Sequence, residues 1–303
     1  MPKIIGIGDA SVDVVLKVPY LPSRDEKVRA ELVSRVPGGV IANFCAAAAA
    51  FGADVGAVCK VGADDYGRLA LSDLKSRGVD TSHMVVDEDG ETYFCVIMLD
   101  DSGEKSCAVV VTSAFMPAPE EMDLGYLRGA ERVHMTTLGM RMVDGVTEKL
   151  AGTGVKLSLD IEPTAESWDP QVWDRVLPRL DIAFPNEAGL AALTGTEDID
   201  AGARILLDRG VRAVVVTCGS RGCRIYDGDR TISVPAFRTE VVDSTGAGDC
   251  FNAAFLSGLT FGWDMEKSAK YASAAAAISI GAIGARGHLP GIAETEAFLT
   301  ERG

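Results

Sequence analysis

The chain has 303 residues, 47% of them hydrophobic, and a formal net charge of -15, which supports a large core and excludes nucleic acid and anionic membranes as partners by charge repulsion. Seven cysteines, odd in number and never spaced C-x-x-C, exclude a disulfide framework or a zinc site, and His83, His134 and His288 lie too far apart in sequence to be assigned to a metal. The short apolar start before Asp9 excludes a secretion signal, and charged residues bound the alanine-rich stretches 45–51 and 272–280 below membrane-spanning length, so a cytoplasmic protein is expected.

Residues 3–8 (KIIGIG) predict a buried strand, and 14–36 predict strands joined by turns. Residues 42–52 then read as a helix and 55–61 as a strand, giving β-α-β order. A helix over 65–78 follows, and 92–111 predict a hairpin turning at Asp101-Ser102-Gly103. Strands at 133–138, 156–161, 181–185 and 212–219 alternate with helices at 142–154, 168–180 and 201–210. The extended segment 233–243 leads into a helical pattern over 249–262, and helices over 268–282 and 294–302 complete the chain. Strand and helix in regular alternation predict an α/β fold with a mostly parallel central sheet and helices on both faces. The segments near 14–36 and 92–111 break the alternation and are expected to pair as a small β-stranded lid on a single domain spanning 1–303. An exposed sheet of that kind predicts a homodimer covered through the lid.

The stretch DSTGAGDCFNAAF (243–255) places Gly246, Ala247 and Gly248 at the start of a helical pattern. Small residues there let an anion approach free backbone N–H groups, aided by the helix dipole. Asp249, next in line, would be repelled by that anion unless it takes a proton from a hydroxyl attacking it, which suggests phosphoryl transfer to an alcohol. By itself the stretch reads more readily as a tight turn with an acidic first-turn residue. No G-x-x-x-x-G-K-[ST] occurs, and GIGDAS lacks the third glycine of a dinucleotide fingerprint, which counts against a nicotinamide-dependent dehydrogenase. A second segment, PGGVIANF, sets Gly38 and Gly39 before a helix carrying Asn43, whose amide offers both donor and acceptor to hydroxyl groups.

Taken together, GG-x-x-x-N followed by VGADDYG, and then DSTGAGD with its helix, resemble the two signature regions of the ribokinase-like sugar kinases, the phosphofructokinase-B family. GDASVD, DIEPTAESW, PNEAGLAALTG and VVVTCGSRG extend the resemblance over nearly the whole chain. The resemblance implies a ribokinase-like three-layer fold and an ATP- and magnesium-dependent kinase acting on a small sugar. It implies Asp249 as the base, with the Gly246, Ala247 and Gly248 amides on the transferring phosphoryl group. Asp13, Gly38, Gly39 and Asn43 would hold the sugar, and Asn186, Thr217, Gly219 and Gly222 the nucleotide. Asp243 and the loop 280–287 lie where many relatives hold a monovalent cation, so potassium is a further expectation.

Two departures bear on this. The family's N-x-x-E, whose glutamate helps organise magnesium, here ends in Gly189, and Glu162 and Thr164 stand where binders of acidic sugars carry other residues. Lys27 and Arg141 are the cations that could reach an anionic substrate, but each reads more readily as a solvated surface charge, so a neutral hexose or pentose is the first expectation. A sulfonated or phosphorylated sugar, a nucleoside, and a catalytically silent binding protein are the alternatives.

Overall fold

The computed structural model describes residues 1–163 and 169–302. Its elements, in chain order, begin with β1 (Ile4–Asp9), β2 (Ser11–Val18), β3 (Glu31–Gly38), α1 (Val40–Ala50), β4 (Val55–Gly62), α2 (Asp65–Ser76), β5 (Val85–Asp87), β6 (Phe94–Asp100) and β7 (Lys105–Val110). They continue with α3 (Leu124–Arg128), β8 (Arg132–Thr136), α4 (Met140–Lys149), β9 (Lys156–Ile161), α5 (Pro170–Val176), β10 (Ile182–Pro185), α6 (Glu187–Thr194), α7 (Ile199–Asp208) and β11 (Ala213–Thr217). The chain closes with β12 (Cys223–Asp227), β13 (Arg230–Val234), α8 (Ala247–Thr260), α9 (Met265–Ser279) and α10 (Ile292–Arg302).

Nine strands form one sheet in the order β13-β12-β11-β10-β9-β8-β1-β4-β5. From β11 to β5 every pairing is parallel, and only β12 and β13 run antiparallel at one edge. Strands buried on both faces need apolar residues throughout, which explains the continuous runs in the sequence. One face packs on α1, α2, α8 and α9, with Phe44 and Phe255 at its centre. The other packs on α3 to α7, around Met135 and Trp173. The result is the three-layer α/β sandwich that the alternation predicts.

A second sheet, in the order β3-β2-β6-β7, stands apart from the first. It arises from the two segments that break the alternation, with the predicted turn closed by Asp100, whose Oδ1 accepts the Ser102 and Glu104 N–H groups at 2.8 and 3.0 Å. Strand β2 follows β1 after a single residue, so the smaller sheet is anchored at the carboxyl end of the central strands. One difference from the sequence reading concerns 233–243. Only Ser233 and Val234 lie in a strand; the rest runs without regular pairing, and the Val242 and Asp243 N–H groups both donate to the Ile280 carbonyl.

All seven cysteines are free. His134 is buried between Phe44 and Phe184, bonded to Ser158, and burial pushes its imidazole down to about 3, so it stays neutral in the core. Among the described residues no helix is long and apolar enough to cross a membrane, and no group of three or more His, Cys, Asp or Glu side chains is placed to hold a metal ion.

Candidate active site

Open parallel sheets leave their ligand crevice at the carboxyl ends of the strands. Here a cleft of about 1210 Å³ opens at that edge, with Tyr93, just before β6, and Cys95 and Val109 of the smaller sheet on one side. Asp9 ends β1, Glu162 follows β9, Asn186 follows β10 and Thr217 ends β11, and all four line the cleft.

The helix that begins at DSTGAGD is α8, with Gly246 as its N-terminal cap in the left-handed region (φ 77°) and no side chain capping it. A Cβ on Gly246 would lie 2.6 Å from that of Ala285, so glycine is required there by both backbone and packing. Gly248 is different, since a Cβ at that position would meet nothing within 4 Å. It faces open cleft. The Ala247 N–H donates to the Ser244 carbonyl at 3.2 Å, whereas among the described residues the Gly246, Gly248 and Asp249 amides have no protein acceptor. The donors available at this helix start are therefore those three, with the Asp249 amide in the place expected of Ala247.

Asp249 lies in the first turn of α8, 9% exposed, and lines the cleft. It does not cap its helix. Its Oδ2 accepts a hydrogen bond from Asn43 Nδ2 at 2.9 Å. Burial pushes the Asp249 carboxyl up to about 8, opposed by the Asn43 bond, raised further by Glu162 and Asp9, and lowered by Arg286. Asn43 likewise does not cap α1. Helix α1 is instead held by Asp9, whose oxygens accept the Val40 and Ile41 N–H groups at 3.0 and 3.1 Å.

Asp13, on β2, lines the cleft, with its carboxyl raised above the ordinary range by burial and by Asp9, and lowered by Arg286 and Cys95. A Cβ on Gly38 would come within 2.7 Å of that carboxylate, so Gly38 makes the room in which Asp13 sits. Gly39 lines the cleft and Gly38 stands behind it. On the other side of the cleft, Asn186, Thr217, Gly219 and Gly222 come together, with Asn186 and Thr217 joined by a parallel bridge. Asp243 organises two loops: its Oδ1 accepts from Thr245 N and Oγ1, and its Oδ2 from Gly284 N at 2.9 Å.

Gly189 has a local cause. The Asn186 side chain caps α6 by accepting the Gly189 N–H at 2.7 Å, which brings the first turn onto β9. A Cβ at 189 would lie 2.1 Å from the Ile161 carbonyl oxygen, leaving no space for a glutamate. Glu187 is paired with Arg221. The residues considered for an anionic substrate, Lys27 and Arg141, are exposed and line no part of the cleft; of the two residues counted against acidic sugars, Glu162 lines the cleft and Thr164 lies outside the described residues. Arg286, Asp160 and Asn252 escaped the sequence reading: Asp160 and Asn252 line the cleft beside Asp249, and Arg286 contacts Asn43 from behind.

The pfkB family carbohydrate kinase pattern matches residues 1–291. The chain is 33% identical to the ATP-dependent ribose-1-phosphate kinase of Halopiger xanaduensis, covering 100% of this chain and 99% of that protein. It is 31% identical to the ribokinase of Bacillus subtilis, over 99% of this chain and 100% of that one. Its fold is similar to that of Arabidopsis thaliana ribokinase complexed with ribose and ATP, with a TM-score of 0.89, 27% identity and 98% of each chain covered. With the fold, the order of the glycine motifs and the sequence agreeing along the whole chain, this protein belongs to the pfkB family of carbohydrate kinases.

Proposed function

We propose that the protein transfers the γ-phosphoryl group of ATP to a hydroxyl of a neutral, ribose-like sugar, with Asp249 as the base. The observation that carries this is the Asp249 carboxyl at the floor of the cleft, held by Asn43 beside amides that have no acceptor in the fold. The acceptor hydroxyl, oriented by Asp13 and Asn43, gives its proton to Asp249 as its oxygen bonds to the γ-phosphorus and the bond to the departing ADP oxygen breaks. The Gly246, Gly248 and Asp249 amides face the charge on the transferring group. Asn186, Thr217, Gly219 and Gly222 form the nucleotide side, and the smaller sheet acts as a lid that excludes water.

Magnesium, arriving with the nucleotide, would neutralise phosphate charge. The residues fit an ion carried mainly by phosphates and water, to which Asp160 and Glu162 in the cleft lining would contribute through water, since no group of three or more ligating side chains is placed for a metal among the described residues. Potassium at the loop joined by Asp243 is a separate reading, and equal activity in potassium-free buffer removes it. The free cysteines suit a reducing cytoplasm.

A phosphorylated acceptor is the second reading, favoured by the ribose-1-phosphate kinase relative. Against it, Asp9, Asp13, Asp160, Glu162 and Asp249 all line the cleft, and Arg238 is the one basic residue lining it among those described. Arg238 follows the segment that packs on Gly222, on the nucleotide side. ADP release measured across ribose, other neutral pentoses and hexoses, ribose 1-phosphate, sulfonated sugars and nucleosides decides between the readings. Fastest turnover on a neutral sugar is expected; fastest turnover on the phosphate ester would overturn the neutral-acceptor reading, and no turnover on any would favour a silent binding protein.

A further inference from the structure

Asn43, whose amide donates a hydrogen bond to Asp249, is itself held from behind. Arg286 is 243 residues from Asn43 in sequence, and its Nε donates to Asn43 Oδ1 at 2.8 Å. Its second nitrogen donates to Asp73 Oδ2 at 2.5 Å, and its third to the Gly38 carbonyl at 2.8 Å. The guanidinium is 5% exposed, and Asp73 is shared with Arg77, whose Nε lies 3.0 Å from Asp73 Oδ1. A buried fork with all three nitrogens committed has no freedom to swing toward the substrate.

The two ends of an asparagine amide have nearly the same shape, so neighbours decide which way it points. A guanidinium can only donate and therefore takes the oxygen. We propose that Arg286 is a positioning residue that locks the Asn43 amide with its N–H₂ turned toward Asp249, so that the amide favours the carboxylate over the carboxylic acid. The reversed amide would present an acceptor, which suits a protonated Asp249 and repels an ionised one. The gain is largest where the base most needs it, because Asp9, Asp160 and Glu162 also face this site and oppose a further negative charge. By anchoring the same guanidinium to Gly38, the arrangement ties the room around the Asp13 carboxylate to the orientation of the base.

The inference rests on Asp249 as the base, and the test separates the two. Activity with ribose and MgATP is followed against pH for the wild type, R286Q, R286K, D73N and D249N, alongside an infrared titration of the carboxyl band that disappears in D249N. The acid limb of kcat/KM and the carboxyl titration are expected to move together to higher pH in R286Q by about one unit, a ten-fold loss on that limb. R286K keeps the charge but cannot span three acceptors, so it should move in the same direction, and D73N should do so by less. If R286Q fails to fold, R286K and D73N carry the test. A carboxyl titration in the Arg286 variants that overlays the wild type overturns the proposal, whether or not their overall rate or melting temperature falls. Retained turnover in D249N would instead overturn the assignment of the base.

Discussion

At the scale of single residues, Asp249 carries opposing demands. Burial beside Asp9 and Glu162 disfavours its charge, and Asn43 and Arg286 restore part of what burial removes. A base poised near the working pH combines a usable ionised fraction with a real affinity for the proton. In the wild type, kcat/KM for the sugar should therefore fall ten-fold per pH unit on the acid side of about 8. Asp249→Asn keeps the shape and the Asn43 neighbour but cannot accept a proton, so turnover should drop by about 10²- to 10⁴-fold while sugar binding changes little. Stability should move the other way. The folded carboxyl holds a proton up to about pH 8 that the unfolded chain releases near its ordinary value of 3.8. Stability from this group is thus complete below the unfolded value and is lost as pH rises toward the folded one. Thermal melts should show D249N gaining on the wild type between pH 5 and 8, and a D249N melting temperature that falls relative to the wild type over that range would contradict the burial argument.

At the scale of elements, the start of α8 separates a glycine the fold requires from one the packing leaves open to the cleft. Gly246→Ala forces a side chain into a left-handed cap and against Ala285, and should cost about 1–3 kcal/mol in denaturant unfolding. Gly248→Ala adds a methyl where the cleft is open. It should leave stability unchanged or raised by a few tenths of a kcal/mol to about 1, yet raise KM for ATP if, as proposed, the phosphate is held at this turn. A Gly248→Ala enzyme with normal kinetics would remove the anion role from this turn. Gly189→Ala belongs with the first kind, because its Cβ would meet the Ile161 carbonyl at the end of β9.

What was legible in the sequence follows the same division. The turn at 244–248 and the PGGVIANF helix start are local arrangements of small residues before an apolar helical period, and both fold as that pattern implies. The β12–β13 hairpin was not read, although Asp227-Gly228 sits at its turn with Gly228 at φ 59°; its outer residues Arg224, Asp227 and Arg230 dilute the apolar signal at a sheet edge. The segment after Val234 lacks helical period, as a strand does, and only the absence of a pairing partner distinguishes it. Arg286 left no local trace, since its meaning lies in three acceptors, Gly38 at the end of β3, Asn43 on α1 and Asp73 on α2, brought together by packing.

At the scale of the whole molecule, the smaller sheet poses a solvation problem that the central sheet does not have. The inner strands of the central sheet are covered on both faces, whereas the smaller sheet leaves Leu32, Val33, Val36, Leu99 and Val109 exposed, with Val33 at 56%. Apolar residues gathered on one open sheet mark a surface that a partner covers. Because Val109 and Cys95 also line the cleft, a partner seated on that sheet would fix the lid from outside while substrate contacts it from within. The expected partner is a second copy of this chain, joined through β3, where Leu32 and Val33 stand exposed away from the register of Asp13, Val36, Cys95 and Val109. Sedimentation equilibrium should then give a dimer for the wild type and a monomer for Val33→Glu, because a carboxylate buried without a partner at such an interface costs more than the exposed valine gains. If dimerisation steadies the lid, the Val33→Glu monomer should also split ATP in the absence of sugar at a larger fraction of its kinase rate, since a looser lid admits water to the phosphoryl group. A wild-type monomer, or a Val33→Glu protein that remains dimeric, would place the covering of this sheet elsewhere.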